Sequence, residues 1–274
     1  MKPLFIGFVL LAAAAAPAYA ECNNEWLCVD VVDDDGDVGL RARNLVDFPI
    51  TYTLKVHSMQ RPSGGGKSVT RTLAPRQSEE VLQLMGEEVR HRGDLDYSYE
   101  WAIGDKDAVH DDDHLYALPY RSGRSYRVLQ GYGSRFSHTG LEEFAIDFDM
   151  QVGTAVHAAR AGVVARVVES HSRGCWEDGC GKYANFIVIV HNDGTTGEYY
   201  HLQSDGAVVD VGDRVSQGQL IGYSGNTGHT TMPHLHFAVY RASTGGNTQS
   251  IPVRFQGVEG IITRLRRGGR YEAM

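Results

Sequence analysis

One stretch near the C-terminal end, Thr231–Val239, alternates between apolar and other residues with a period of two. Successive side chains of a β-strand point to opposite faces, so one face of this stretch is apolar and is the face that a sheet buries. The other face carries His234 and His236, about 6.8 Å apart along the strand. An isolated strand histidine usually only makes hydrogen bonds, but this spacing allows one imidazole to bind a metal ion while the other acts on a metal-bound water. The pair therefore predicts a metal site if further ligands exist upstream.

Glycines mark turns between many short apolar runs from about residue 128 onward. The strand candidates in this part are Phe144–Phe148, Ala155–Ala158, Gly162–Glu169, Asn185–His191, Gly197–Leu202, Arg214–Ser216, Leu220–Ser224, Leu235–Tyr240 and Ile251–Phe255. They follow one another without a helical pattern between them. The pattern predicts an antiparallel all-β domain.

The preceding part, from residue 21 to about residue 105, is also rich in strand candidates separated by turn-forming residues. These candidates are Trp26–Val32, Val38–Arg43, Ile50–His57, Ser68–Leu73, Glu80–Leu84 and Tyr97–Ile103. The pattern predicts a small antiparallel β-sandwich. It contains no catalytic constellation, so we expect it to position the second domain, to shade its groove or to bind a regulatory partner.

The first twenty residues have the pattern of a secretory signal peptide. Lys2 gives a positive start, Leu4–Ala16 is an apolar run, and Ala18-Tyr19-Ala20 fits a small-x-small cleavage site. The apolar run is too short to span a bilayer, and no other stretch approaches about 18 apolar residues. We therefore expect a mature chain that begins near Glu21, has no membrane span and is periplasmic or secreted.

Export to an oxidising compartment favours disulfide bonds among the four cysteines. Cys22 lies close to Cys28, and Cys175 close to Cys180, so a local disulfide within each pair is the simplest interpretation. The other two connectivities stay open. The formal net charge of −8 argues against nucleic acid or an anionic membrane as the main partner.

Candidate upstream ligands lie in and before the strand candidate Phe144–Phe148. Strand alternation places Asp147 and Asp149 on the face opposite the apolar residues, and parity alone does not choose between them. His138 comes nine residues before Asp147, in a glycine-rich approach. Two histidines and a carboxylate, with a fourth position open to water, are the composition of a catalytic zinc site.

These residues belong to an ordered series of short motifs. His138 and Asp147 are followed by Gly153-Thr154-Ala155-Val156, Tyr200-His201-Leu202, Val211-Gly212-Asp213-Arg214-Val215, Gly225-Asn226-Thr227-Gly228 and His234-Leu235-His236-Phe237. In order, spacing and glycines, the series resembles the lysostaphin- and LytM-type zinc metallopeptidases, which are duplicated-hybrid-motif peptidases. The resemblance covers roughly residues 128–256, about half of the chain.

The resemblance implies one Zn²⁺ per chain, with His138, Asp147 and His236 as its ligands. It also implies His201 and His234 as a catalytic pair around the metal-bound water, without deciding which of them does what. No further cofactor is implied. Zinc would polarise the scissile carbonyl, a neutral histidine would accept a proton, and a protonated one would steady the oxyanion or protonate the leaving amine.

The sequence departs from the family pattern in small ways. A glycine common before the Pro-His of the family motif is Met232 here, and a glutamate common after His-Leu-His-Phe is replaced by Ala238. Neither position is a metal ligand, so the expected chemistry survives. An insertion, His171–Lys182, contains Trp176, which either contacts substrate or covers the disulfide. The acids Glu142 and Glu143 are interpreted as surface charge, as adjacent acids in a loop usually are.

The resemblance implies a zinc metalloendopeptidase that cleaves peptide cross-links of bacterial peptidoglycan, and the signal-peptide pattern implies its export. Two alternatives stay open: a non-catalytic activator or binder of other cell-wall hydrolases, and an endopeptidase acting on glycine-rich proteins. The predicted organisation is a signal peptide (residues 1–20), an N-terminal β-rich domain (21–115), a linker (116–127), the peptidase domain (128–256) and a C-terminal tail (257–274), which is basic and expected to be flexible.

Overall fold

The computed structural model of the chain describes residues 20–21, 26–34, 37–57, 67–84 and 95–274. Almost all regular structure is β-strand, and helical structure in these residues is limited to the short 3-10 helices Gly140–Glu142, Cys180–Tyr183 and Thr244–Gly246. The predicted all-β class is confirmed. None of the helices in these ranges is long and apolar enough to cross a membrane. The predicted signal peptide, apart from Ala20, and Cys22 with its predicted disulfide lie outside the described residues.

The N-terminal strands are β1 (Ala20–Glu21), β2 (Leu27–Asp34), β3 (Asp37–Asn44), β4 (Ile50–His57), β5 (Lys67–Leu73), β6 (Ser78–Leu84) and β7 (Asp96–Ile103). They form one sheet in the order β1-β2-β3-β6 and a second in the order β5-β4-β7, and every pairing is antiparallel. Apolar side chains of the two sheets meet in one buried cluster, which includes Leu27, Leu40, Tyr52 and Leu54. The predicted antiparallel sandwich is therefore confirmed, with strand bounds within a few residues of those expected.

The strands that follow are β8 (Leu115–Ala117), β9 (Ser125–Gln130), β10 (Ile146–Phe148), β11 (Ala155–His157), β12 (Gly162–Val168), β13 (Gly174–Cys175), β14 (Phe186–Val190), β15 (Thr196–Tyr200), β16 (Leu202–Ala207), β17 (Arg214–Val215), β18 (Leu220–Ser224), β19 (Gly228–His229), β20 (Leu235–Ala242), β21 (Thr248–Ile251), β22 (Arg254–Gly257), β23 (Gly260–Ile262) and β24 (Arg270–Glu272). The central sheet has the order β17-β12-β14-β15-β20-β10-β9-β24, with β21 also paired to β20. Its pairings are antiparallel, as predicted.

Two short pairings are parallel, which the sequence did not predict: β8 with β22 and β13 with β19. Their partners are far apart in the chain, so their relative direction is set by where each segment docks and not by a tight hairpin turn. Smaller sheets in the orders β11-β18-β16 and β23-β22-β8 flank the central sheet.

The two faces of the central sheet have different surroundings. One face contributes Leu235, Phe237 and Tyr199 to the main buried core. On the opposite face, Val188 and Val190 of β14 pack against Phe48, Ile50 and Ile103 of the sandwich. These sandwich residues lie at or beside the start of β4 and the end of β7. Cross-strand pairing places Val188 beside Glu198, and Glu198 beside Ala238, so this contact is on the same face as His236.

The C-terminal segment corrects one expectation. Residues 257–274 are not a flexible tail, because β24 pairs with β9 and the side chains of Leu265 and Ala273 are buried in the main core. The two buried apolar residues, Leu265 and Ala273, lie outside the short strands of this segment, which is why no periodicity was visible in the sequence. Tyr116 and Leu118 of the predicted linker are also fully buried in this core. The domain boundaries given above stay a prediction.

Candidate metal centre

The pairing of β10 with β20 brings a carboxylate and an imidazole together. In this antiparallel register Asp147 lies directly opposite His236, and both side chains are on the face away from the main core. Their neighbours in the strands, Ile146, Phe148, Leu235 and Phe237, are buried in that core. The alternation that the sequence shows is thus what aims the two polar side chains at one place.

His138 reaches the same place from the loop before the 3-10 helix Gly140–Glu142. Its ring is 1% exposed, and its Nδ1–H donates to the carbonyl oxygen of Gly131 over 3.4 Å. This contact leaves the lone pair of Nε2 turned toward the carboxylate of Asp147, with 3.2 Å between Nε2 and Oδ1. Gln130 Nε2 donates to the other oxygen of Asp147, Oδ2, over 2.6 Å.

One nitrogen or oxygen atom from each of His138, Asp147 and His236 lies within 4.8 Å of the others. His236 contributes Nδ1, which is 2.9 Å from Asp147 Oδ1. His138 Nε2 is buried and has no hydrogen-bond partner within the described residues. A buried imidazole nitrogen without a partner, beside a carboxylate and a second imidazole, fits a metal ion, and mixed nitrogen and oxygen donors suit zinc. The three residues are therefore able to hold a metal.

The second histidine pair lies beside this cluster. His201 Nδ1–H donates to the carbonyl oxygen of Thr227 over 2.7 Å, and His234 Nδ1–H donates to that of Met232 over 2.8 Å. Both Nε2 atoms are thereby left as lone-pair donors, and the two ring centres are 4.4 Å apart. His201 has a φ of 65°, a left-handed conformation that a non-glycine residue adopts at an energetic cost, often at functional sites.

Asp147 and the second histidine pair differ in charge because of their burial and the groups beside them. Burial alone raises the pKa of Asp147, but contacts with His138 and His236 outweigh it and hold the pKa well below its usual value. Burial, with the nearby His234 and His236, lowers the pKa of His201 to about 3. Burial also lowers the pKa of His234. At neutral pH the site therefore combines the ionised carboxylate of Asp147 with the neutral imidazoles of His201 and His234 beside the cluster.

Asp149, which strand parity had left as an alternative to Asp147, lies apart from the cluster. Its Oδ2 accepts hydrogen bonds from Arg127 Nε and Nη2, at 3.2 and 3.1 Å. β10 ends at Phe148, one residue before Asp149, and the register shift between Asp147 and Phe148 leaves the extra residue, Leu129, in the partner strand β9. The tertiary structure thus distinguishes the two carboxylates that the sequence left equivalent.

An open groove of about 690 Å³ runs over the cluster. One side carries Trp176, whose ring is half-exposed and stacks with those of Phe136 and His229, with ring centres 5.2 and 4.2 Å away. The predicted disulfide Cys175–Cys180 is present in this segment. Arg267 and Gly268 line the groove from the C-terminal segment. Trp176 is therefore placed to meet a bound chain, and contact with substrate stays a prediction.

Sequence reasoning missed one carboxylate near the cluster. Glu142 is half-buried and not a free surface charge: its Oε2 accepts a 2.5 Å hydrogen bond from Tyr240 OH and lies 3.6 Å from His236 Nε2. Tyr240 shares strand parity with His236, which was a usable signal for the tyrosine. No comparable signal existed for Glu142, because it lies in a turn without periodicity.

Residues 142–250 match the sequence profile described as peptidase family M23, so this part of the chain is a peptidase M23 domain. The match begins after His138 and contains Asp147, His201, His234 and His236. A domain of this metallopeptidase family implies a metal, in agreement with the donor group His138, Asp147 and His236.

Individual relatives are similar over the same part of the chain. The glycyl-glycine endopeptidase ALE-1 of Staphylococcus capitis is 39% identical over 133 residues, which cover 48% of this chain and 34% of ALE-1. The peptidoglycan DD-endopeptidase ShyA of Vibrio cholerae is 34% identical over 123 residues, covering 43% of this chain and 26% of ShyA. The solved catalytic domain of lysostaphin from Staphylococcus simulans aligns with 32% identity and a TM-score of 0.32, covering 48% of this chain and 88% of that domain. The matches thus span about a third or less of ALE-1 and ShyA.

Proposed function

We propose that this protein is an exported, zinc-dependent endopeptidase that hydrolyses amide bonds in the peptide cross-links of bacterial peptidoglycan. One observation carries the proposal: His138, Asp147 and His236 converge at the floor of an open groove, with His201 and His234 beside them. The names of the relatives ALE-1 and ShyA, a glycyl-glycine and a peptidoglycan endopeptidase, support the substrate class. The signal-peptide pattern supports the export.

In the proposed mechanism, His138 through Nε2, Asp147 through Oδ1 and His236 through Nδ1 would hold the metal. Zinc bound there would polarise the scissile carbonyl and activate a water molecule for attack. The backbone contact of His138 and the β10–β20 register of the other two fix these donors before the metal binds. Such preorganisation reduces the reorganisation that binding and catalysis require.

We assign proton transfer to the pair His201 and His234. Each ring is fixed by its Nδ1–H bond to a backbone carbonyl, so only Nε2 is available to accept a proton from the attacking water. The lowered pKa of His201 keeps this ring neutral, and therefore able to accept a proton, throughout the neutral range. The ring that receives the proton can then stabilise the oxyanion or protonate the leaving amine. Which histidine takes which step stays open.

The decisive experiment compares Asp147→Asn with the matched control Asp149→Asn in the mature full-length protein. We expect Asp147→Asn to lose stoichiometric zinc and to slow hydrolysis of purified sacculi by at least about 10³-fold, because the removed charge holds the ion that activates the water. Asp149→Asn, whose carboxylate contacts Arg127, should retain zinc and most activity. Metal analysis and mass spectrometry of the released fragments measure both effects and identify the bond cleaved.

Each alternative has its own signature in the same measurements. If the wild-type protein contains no stoichiometric zinc and shows no chelator-sensitive hydrolysis, the proposal is contradicted. That result would favour a non-catalytic activator or binder. Faster cleavage of glycine-rich proteins than of sacculi would favour the alternative of an endopeptidase that acts on glycine-rich proteins. Equal loss of activity in Asp147→Asn and Asp149→Asn would contradict the ligand assignment.

A further inference from the structure

The two ring nitrogens of His236 face different surroundings. Nδ1 faces Asp147, and Nε2 points away from the donor cluster toward the hydroxyl of Tyr240, 3.3 Å away, and Oε2 of Glu142, 3.6 Å away. The same Glu142 oxygen accepts the short hydrogen bond from Tyr240 OH. The carboxylate, the phenol and the distal nitrogen of the imidazole therefore form one compact group behind the proposed metal ligand.

The group is assembled from two separate elements. Tyr240 is four residues after His236 on the same face of β20, and its ring is 2% exposed. Glu142 ends the 3-10 helix in the segment that joins His138 to Asp147. Ala238, which lies between His236 and Tyr240 on the same face of β20, packs with Ala145 and Tyr240. The strand itself supplies no carboxylate to His236 at this position, and the loop supplies one.

A second carboxylate on this face, that of Glu198, is engaged elsewhere. Its Oε1 accepts a hydrogen bond from Thr196 Oγ1 over 3.1 Å, and its Oε2 accepts one from Tyr200 OH over 2.9 Å. Among the described residues, the carboxylate of Glu142, 3.6 Å away, is thus the one available to the distal nitrogen of His236.

We propose that Glu142, held by Tyr240, is a positioning residue for the metal ligand His236, an inference that rests on the proposed function. A carboxylate beside Nε2 stabilises the tautomer with the proton on Nε2 and leaves the Nδ1 lone pair for the metal. It also fixes the ring plane and makes Nδ1 a better donor. The segment between His138 and Asp147 therefore provides two ligands and also the support of the third.

The test measures zinc affinity by competition with a fluorescent chelator, using the mature full-length protein. We expect Glu142→Ala to weaken zinc binding by about 10–100-fold, the usual effect of losing such a partner. Glu142→Gln, which keeps a hydrogen-bond acceptor, should recover part of this loss, and Tyr240→Phe should weaken binding several-fold. The matched control is Glu143→Gln, an exposed neighbour that carries the same charge and should bind zinc like the wild type.

The outcomes separate this inference from the proposed function. Unchanged zinc affinity in Glu142→Ala, or an equal loss in Glu143→Gln, overturns the positioning role alone. Absence of zinc from the wild type overturns the proposed function and this inference together. Thermal unfolding in excess EDTA shows whether each variant folds, and Tyr240→Phe decides the question if Glu142→Ala does not fold.

Discussion

At the scale of single residues, the candidate centre is organised by which ring nitrogen of each histidine forms a hydrogen bond with the surrounding protein. His138, His201 and His234 each use Nδ1–H for a backbone carbonyl, and His236 alone turns Nε2 away from the centre. Because the second nitrogen of an imidazole is fixed by the bond that the first one makes, these contacts select the tautomer before any ligand arrives.

Another histidine, His191, makes a residue-scale prediction about acid stability. It is 3% exposed, its Nδ1–H donates to Ala161 O over 2.9 Å, and burial with the nearby Arg160 lowers its pKa from 6.5 to about 3. Below pH 6.5 this histidine therefore binds a proton in the unfolded chain but stays neutral in the folded chain. The stability from this site is complete above about pH 6.5 and is lost as the pH falls toward 3, by up to about 1.4 kcal/mol per pH unit.

The measurement is urea unfolding at several pH values between 7 and 4. His191→Gln should show a shallower loss of unfolding free energy with falling pH than the wild type, whatever its absolute stability. His57→Gln, at an exposed histidine of β4, is the control and should keep the wild-type slope. Equal slopes for all three proteins would show that His191 is not the group responsible.

At the scale of elements, the short parallel pair β13–β19 ties the disulfide segment to the strand that leads toward His234. Gly174 lies opposite Gly228, and Thr230 N–H donates to Cys175 O over 2.9 Å. Thr227, whose carbonyl oxygen accepts the hydrogen bond from His201, comes directly before Gly228 of β19 in the chain. The position of Trp176 over the groove and the orientation of His201 are therefore coupled through this pairing.

Gly174 is the position where this element is most vulnerable. A Cβ atom there would lie 1.9 Å from the carbonyl oxygen of Asn226, a backbone atom that cannot move alone. We expect Gly174→Ala to lower the free energy of unfolding by about 2–3 kcal/mol, as overpacking does, and to reduce activity by displacing the groove wall. The control Gly181→Ala has no atom within 4 Å of its Cβ and should behave like the wild type. Calorimetry and sacculus hydrolysis test both, and a wild-type melting temperature for Gly174→Ala would refute the argument.

At the scale of the whole molecule, the sandwich and the central sheet share a buried apolar contact. Phe48, Ile50 and Ile103 meet Val188 and Val190 on the face that also carries the candidate metal centre. All described residues that line the groove come from Arg127 or later, so the sandwich flanks this face without lining the groove. Removing the sandwich would therefore expose an apolar surface in the remaining chain.

This contact predicts that the two parts unfold together. Val188→Ala removes two buried methyl groups from the central sheet, at a cost of about 2 kcal/mol. In a Trp176→Phe background, the remaining tryptophans, Trp26 and Trp101, lie in the sandwich and pack against the shared apolar cluster, so they report on the sandwich side of this contact. We expect their thermal transition to shift downward by roughly 4–8 °C, although the substitution is in the other part. The exposed Val208→Ala should leave it unchanged, and an unshifted transition in Val188→Ala would show independent unfolding.

The sequence by itself determined the local features of this protein. Alternation in Phe144–Phe148 and Leu235–Tyr240 is a property of neighbouring residues, so it predicted both strands and the faces of Asp147 and His236. Tertiary structure decided the rest: the choice of Asp147 over Asp149, the place of Glu142, and the packing of residues 257–274. These depend on strand register, on a bulge and on contacts between segments far apart in the chain, which no local pattern encodes.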